Sequence, residues 1–478
     1  MEHLPKELEE IVHQRMADGD TLEKAMFEIS NMMFRPGATP FSLPIWASGT
    51  VFWQVHAGIK ELTDNAPDWG RHLKRSIDSH LDEMLKKDWQ PCVPKPGDDP
   101  RIMFSISSNP FRRIRGSQKL EEVLLPKLTK YVVLDSRMNT STRFADYVLP
   151  VSAWYERTTF KWVTPLSPYL TITNAATPPL GESKTDWEIM YLLAKKIQQR
   201  AKARGIALVK TPQGLEVDFS KLYDRMTIDG EFAENDLEKA CKYMYEHGNL
   251  FGDTTWEQAK EKGFVRYTRI PNDVASIGNQ TDIPKNDTIV ALANHVKKKV
   301  PYPTTTRRIQ FYLDHELYHE YDEVLPRHKD APTIGGNYPL ILSGGKARWS
   351  IHSAWRDSRV MMRLHRPEAY VLLAPGDAAA RGIKEMDWIR VRNDISSFEA
   401  RAGISHQLQP GQAMIHNAWE KHQFKGKGDM NSVNPSPMNP VEMAGGEGSH
   451  LKPWQANGQP SMFDRETRVE IERVEEAA

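Results

Sequence analysis

Cysteine is almost missing: Cys92 and Cys241 are the only two in 478 residues. That is too few for a disulfide framework, an all-cysteine zinc site or an iron–sulfur cluster held by this chain alone. Net charge is missing as well, with 63 Lys+Arg against 63 Asp+Glu. No global positive field draws in nucleic acid or acidic lipid, so any bound anion must be held by a local group of cations. The start MEHLPKELEE is acidic and shows no export signal. The longest uncharged stretch, 36–59, is long enough to span a bilayer, but three prolines, three glycines, Gln54 and His56 interrupt it. It reads as a buried, irregular segment, and direct membrane insertion is not expected.

What is present is enough chain for about three domains. Residues 5–34 read as two helices, and 73–87 as another. From Arg101 the order becomes strand (RIMFSIS), loop (SNPFRRIRG), amphipathic helix (KLEEVLLPKL) and strand (YVVLD). A parallel pair with a helical crossover is the economical arrangement, and it places 107–113 and 135–139 at the carboxyl ends of neighbouring strands, where ligands lie in open α/β sheets. A strand-like piece, DYVLPVSAW, and loop-rich sequence lead to a helix at 186–203, with Thr185 and Glu188 as a capping box and Ile189, Leu193 and Ile197 as its apolar face. Residues 205–305 read as short helical pieces and polar loops. Beyond a boundary near 330, YPLILS, AYVLLAP, DWIRVRN and QAMIHN are short strands between turns, as in a small barrel.

Four constellations carry chemistry. HELYH, with His315, Glu316 and His319, matches H-E-x-x-H, in which two imidazoles one helical turn apart bind zinc beside a glutamate base. The extended form needs Gly at 322 and His at 325, where Asp322 and Leu325 stand, so a polar helix with two histidines is the alternative. SGGKARWSIHS follows a strand: Gly344 and Gly345 permit close approach, Lys346 and Arg348 can neutralise phosphate, and Trp349, His352 and Ser353 offer stacking and hydrogen bonds. An ordinary turn with a basic pair reads equally well. Ser108, Asn109, Arg112 and Arg113 face Asp135, Arg137, Asn139 and Asp146 of the partner strand; such groups read a purine, a ribose and a phosphate, or they are turn and capping residues. The fourth is HNAWE, His416 to Glu420, with 429–437, where Asn431 and Ser432 can bond a ligand edge or simply shape a loop.

Taken in order, VVLDSRMNTSTRFADYVLPVSAWYERT, GESKTDWEIMYLLAKKI, GGKARWSIHS and MNSVNPSPMNPVEMAGG resemble the second half of the catalytic subunit of the dimethyl sulfoxide reductase family of molybdopterin oxidoreductases. The likeness is to its second group: nitrate, selenate and chlorate reductases, and the dehydrogenases of dimethyl sulfide, ethylbenzene and steroids. The resemblance implies an α/β fold, with a parallel-sheet nucleotide-binding domain followed by a small carboxyl-terminal β-barrel of the double-psi type. It implies helices over 1–100, the α/β domain over 101–204, an insertion and linker over 205–330, and the barrel over 331–478.

The implied cofactor is molybdenum held by two molybdopterin guanine dinucleotides, used for oxygen-atom transfer or its reverse. Ser108, Asn109, Asp135, Arg137 and Asp146 would serve one dinucleotide. Lys346, Arg348, Trp349, His352, Ser353, Asn431 and Ser432 would serve the other or its pterin. The family's cysteine-rich iron–sulfur site and molybdenum-ligating aspartate precede the matched region, so the expectation is a fragment or split subunit, inactive without that remainder. Family resemblance further implies a periplasmic location, an iron–sulfur beta subunit and a haem gamma subunit. Phe41, Leu43, Ile45, Trp46, Phe52 and Trp53 are candidate pocket residues for an apolar small-molecule substrate, with nitrate, selenate or chlorate as the second choice. A zinc peptidase and a non-catalytic cofactor-binding protein remain open.

Overall fold

The run RIMFSIS becomes strand β1, Ile102–Ile106, and YVVLD becomes β2, Lys130–Asp135. A third strand, β3, Tyr147–Pro150, completes a sheet of order β1-β2-β3. The strands are parallel. Arg101 O accepts from Thr129 N and Lys130 N where β1 and β2 begin, and the bonds Asp146 N to Tyr131 O and Val151 N to Asp135 O advance together along β2 and β3. This computed structural model describes residues 6–19, 49–64, 73–87, 92–162, 169–210, 216–247, 251–266, 293–301, 308–309, 311–326, 328, 334–347, 355–356, 358–365, 368–417, 419–434, 440–443 and 467–475. The chain divides into two compact units, one of Met1–Val133, Met138–Tyr147 and Gln310–Ala478, the other of Leu134–Arg137 and Val148–Ile309.

In the first unit the segment after β1 is not wholly loop, because Pro110 with its fixed φ opens a short helix, Pro110–Arg113. The crossover is helical but irregular. A turn Ser117–Lys119 widens into a π turn, Leu120–Leu124, and ends in a 3-10 turn, Leu125–Lys127. Pro126 has no N–H to continue an α-helix, which accounts for the break. Leu120 and Leu124 are buried with Ile59, Phe111, Tyr131 and Val133.

Part of 36–59 departs from the irregular segment expected. Gly49–His56 is a helix, stopped at Gly58 with φ +70°, and Val51, Gln54, His56 and Ile59 are buried. Phe52 and Trp53 pack on the Phe111 cluster, so they are core rather than pocket lining. Phe41, Leu43, Ile45 and Trp46, and the expected second helix over 21–34, lie outside the described residues. Within 5–34, Lys6–Ala17 is helical. Ile77–Lys86 is helical too, its first turn capped by Ser76 Oγ accepting from Ser79 N.

The β-rich region forms a closed barrel from β9, Leu340–Gly345; β10, Tyr370–Leu373; β11, Trp388–Arg392; β12, Ser397–Ile404; β13, Gln412–His416; and β14, Thr467–Arg473. The order is β10-β12-β11-β14-β9-β13. β10 and β12 are parallel, as are β9 and β13, and the other pairs are antiparallel. Alternate residues point inward: Leu340 and Leu342, Val371 and Leu373, Ile389 and Val391 are all buried in one cluster.

In the second unit the helix Asp186–Arg204 ends at left-handed Gly205. Half of the expected capping box forms: Thr185 Oγ1 accepts from Glu188 N, while the Glu188 carboxylate pairs with Lys184. The buried stripe runs through Ile189, Ala194, Gln198 and Ala201 rather than through Ile197, which is exposed. Strands appear where loops were expected: β4, Thr159–Trp162, β5, Tyr169–Thr173, and β8, Phe264–Arg266, make an antiparallel sheet. β6, Leu208–Lys210, pairs with β7, Glu216–Asp218. Among the described residues no helix is long and apolar enough to cross a membrane.

Candidate cofactor-binding site

The carboxyl end of β1 is fastened to the barrel loop after β13 by one buried carboxylate. Glu420 accepts from Asn109 Nδ2 at 3.1 Å on each oxygen, from Thr140 N at 2.7 Å and from Thr140 Oγ1 at 2.6 Å. Asn109 Oδ1 accepts in turn from Ser141 N and Ser141 Oγ, at 3.0 and 2.8 Å. The chain places Thr140 and Ser141 in a short helix, Thr140–Phe144, whose reciprocal cap is Asn139 with Thr142.

A second tie lies beside the first. Asn431 Nδ2 donates to Arg112 O, Asn431 O accepts from Gly116 N at 2.9 Å, and Ser432 O accepts from Gln118 Nε2 at 3.2 Å. Asp429 anchors this loop from below, accepting from Asn431 N at 2.7 Å and from Ser117 Oγ at 3.4 Å. It is fully buried, and desolvation pushes its carboxyl up to about 6, against the opposing pull of Lys421.

These contacts sort the sequence candidates. Asn109, Asn139, Asn431 and Ser432 sit where two loops of the first unit meet, but the amide of Asn109 and the turn at Asn431 serve as braces of the protein itself. Asp146 lies by the amino end of β2, where Oδ2 accepts from Tyr131 N and the backbone bond and Lys130 hold its carboxyl below the usual range. It is therefore away from the carboxyl ends of the strands. Asp135 and Arg137 belong to the second unit, where Arg137 N donates to Asp135 Oδ1 at 3.2 Å. Ser108 is half-buried and Lys346 is exposed just past β9. Arg348, Trp349, His352 and Ser353 lie outside the described residues.

Among the described residues HELYH does not assemble a metal site. His315 precedes the helix Glu316–Glu320 as its cap, with Nδ1 accepting from Leu317 N, and His319 Nε2 pairs with Asp314 at 2.8 Å. Among the described residues no group of three metal-ligating side chains occurs.

Sequence reasoning singles out the stretch HNAWE, which ends at Glu420, but gives Glu420 itself no role. The segment just after β1 also concentrates charge: Arg112, Arg113 and Arg115 follow the braced Asn109 within six residues. Burial holds the Arg112 guanidinium below the usual arginine range, with Glu420 opposing and Arg113 and Arg115 reinforcing the shift. Arg112 lies 3.8 Å from Glu420, and its buried Nε has no hydrogen-bond partner. Three guanidiniums in one braced turn, one with a donor left over, suit a diphosphate or another polyanion.

Comparison with known proteins shows the family. "Molybdopterin oxidoreductase" matches residues 14–196, and "Molydopterin dinucleotide binding domain" matches 340–446, the span that includes most of the barrel together with Glu420 and Asn431. The chain belongs to the molybdopterin oxidoreductases and carries their dinucleotide-binding domain. Within that family its relatives are alpha subunits. Respiratory nitrate reductase subunit alpha of Haloferax mediterranei is 33% identical, over 89% of this chain and 44% of that one. Chlorate reductase subunit alpha of Ideonella dechloratans is 30% identical over 85% and 46%, and dimethylsulfide dehydrogenase subunit alpha of Rhodovulum sulfidophilum is 32% identical over 82% and 42%. The chain spans less than half the length of these relatives.

Proposed function

We propose that this chain supplies the nucleotide-binding part of a molybdenum oxidoreductase catalytic subunit, one that transfers an oxygen atom to or from a small oxyanion or sulfur compound. The observation that carries the reading is the pair of ties, through Glu420 and through Asn431, that hold an arginine-bearing turn against the dinucleotide-binding barrel. When bound, the molybdopterin guanine dinucleotide cofactor supplies the redox-active metal and its oxygen-atom chemistry. The chain's own residues bind and orient: Arg112, Arg113 and Arg115 would face phosphate, with Lys346 at the end of β9 as a further cation. The family likeness supports Asp135 and Arg137 as contacts to one nucleotide, and Arg348, Trp349, His352 and Ser353 as contacts to the other.

The relatives' names favour nitrate, chlorate or dimethyl sulfide over ethylbenzene or a steroid. The aromatic pair that suggested an apolar pocket, Phe52 and Trp53, is spent on the core. Because the relatives are alpha subunits more than twice as long as the match, the proposal includes an iron–sulfur site in a part this chain does not span, a beta subunit, a haem gamma subunit and a periplasmic setting.

The test is to produce the chain in a cofactor-making host, alone and with the iron–sulfur partner, and to measure molybdenum, pterin and guanine nucleotide in the purified protein. Bound pterin with guanine, together with viologen-driven turnover of nitrate or chlorate in the complex, is the expected result. A folded protein free of pterin and guanine in both preparations would overturn the proposal.

A further inference from the structure

The tie at Glu420 has an unusual chemical requirement. Four donor contacts converge on its two oxygens, two from the Asn109 amide and two from Thr140. A carboxylate is acceptor-only, so it satisfies all four, whereas an amide would turn an N–H toward a donor. The far side of Asn109 is already fixed by Ser141, which sets the orientation of the whole amide. The Asn109 carbonyl is then the base of the turn, accepting from Arg112 N and Arg113 N at 3.2 and 3.0 Å. Arg112 O is held from the other side by Asn431, and Arg113 O accepts from Arg115 Nη1 at 3.0 Å. Movement of Asn109 would therefore be passed to all three arginines.

We propose that Glu420 is a positioning residue for an anionic ligand: through Asn109 and Thr140 it fixes the turn after β1, and so sets where Arg112, Arg113 and Arg115 present their guanidinium groups. The inference rests on the proposed reading of that turn as the phosphate-binding edge of the nucleotide site. It makes a prediction that charge alone reverses. Removing a negative group beside a cluster of cations should tighten anion binding by simple electrostatics, whereas loss of positioning weakens it.

The experiment titrates inorganic pyrophosphate calorimetrically into the full chain at low ionic strength. Wild type is expected to bind, Arg115→Gln to bind more weakly, and Glu420→Gln to lose affinity by about tenfold, the scale of one or two misplaced charge-assisted hydrogen bonds. Asn109→Ala added to Glu420→Gln should cost little more, because the two act in series. If Glu420→Gln unfolds cooperatively like wild type and binds pyrophosphate equally well or better, the positioning role is refuted. If Glu420→Gln does not fold, Thr140→Val takes its place: a weaker affinity upholds the role and an unchanged one refutes it. If wild type fails to bind, or Arg115→Gln binds as wild type does, the reading of the arginine turn itself is wrong.

Discussion

The side-chain Nδ2 of Asn109 rests on the Glu420 carboxylate, 3.1 Å from each oxygen, across a sequence separation of 311 residues. That pairing ties a turn of the parallel sheet to a loop of the barrel. Glu420→Ala should cost about 3 kcal/mol, because it leaves the half-buried Asn109 amide and the buried Thr140 donors without acceptors. Thr140→Val removes one donor and should cost about 1 kcal/mol. Urea denaturation followed by tryptophan fluorescence measures both, and equal costs would remove Glu420 from the centre of the tie.

How much of this was legible beforehand depends on distance along the chain. The barrel strands announced themselves as short runs between turns, as in Tyr370–Leu373 and Trp388–Arg392, and the β1–helix–β2 unit through its order. Phe264–Arg266 is three residues long and gave no period to read, but Tyr169–Thr173 does alternate, with Leu170 and Ile172 buried, and this was a missed signal. Asn109, Asn431 and Ser432 were recognisable as loop residues with chemistry to offer. Whether that chemistry faced a ligand or the protein was not recognisable, because their partners Glu420, Arg112 and Gln118 are some three hundred positions away.

Asp429 makes stability depend on pH in the direction opposite to most carboxylates. Its carboxyl titrates at about 6 in the folded chain against 3.8 when exposed, so the folded state holds its proton over a range where the unfolded state has lost it. Stability should therefore fall as pH rises from about 4 to about 6, by up to ~3 kcal/mol. Asp429→Asn keeps an acceptor for Asn431 N and should flatten this part of the profile, gaining stability at pH 7. Thermal melts of both proteins from pH 4 to pH 8 decide the point; parallel profiles would contradict it.

Gly428, next to Asp429, lies against β12. A Cβ at this position would sit 2.2 Å from Ser397 O and 3.1 Å from Phe398 Cα, both backbone atoms that cannot move aside. Gly428→Ala should destabilise the barrel by about 2 kcal/mol or more. A Tm equal to that of wild type would mean the loop approaches the strand less closely.

His315 and His319 are expected to leave metal content unaffected. His319→Ala should release Asp314 with little change in stability, and His315→Ala should cost about 0.5–1 kcal/mol through the lost cap. Elemental analysis of wild type and both variants checks the first statement. Stoichiometric zinc that disappears with His319 would falsify it.

The order of strands in the barrel also has a consequence for synthesis. β14 lies between β9 and β11, pairing antiparallel with each. Two strands made far earlier thus wait with one side unpaired until residues 467–473 emerge from the ribosome. Until then the nascent chain carries an open seam, and β14, the latest of the six barrel strands in chain order, acts as its fastener.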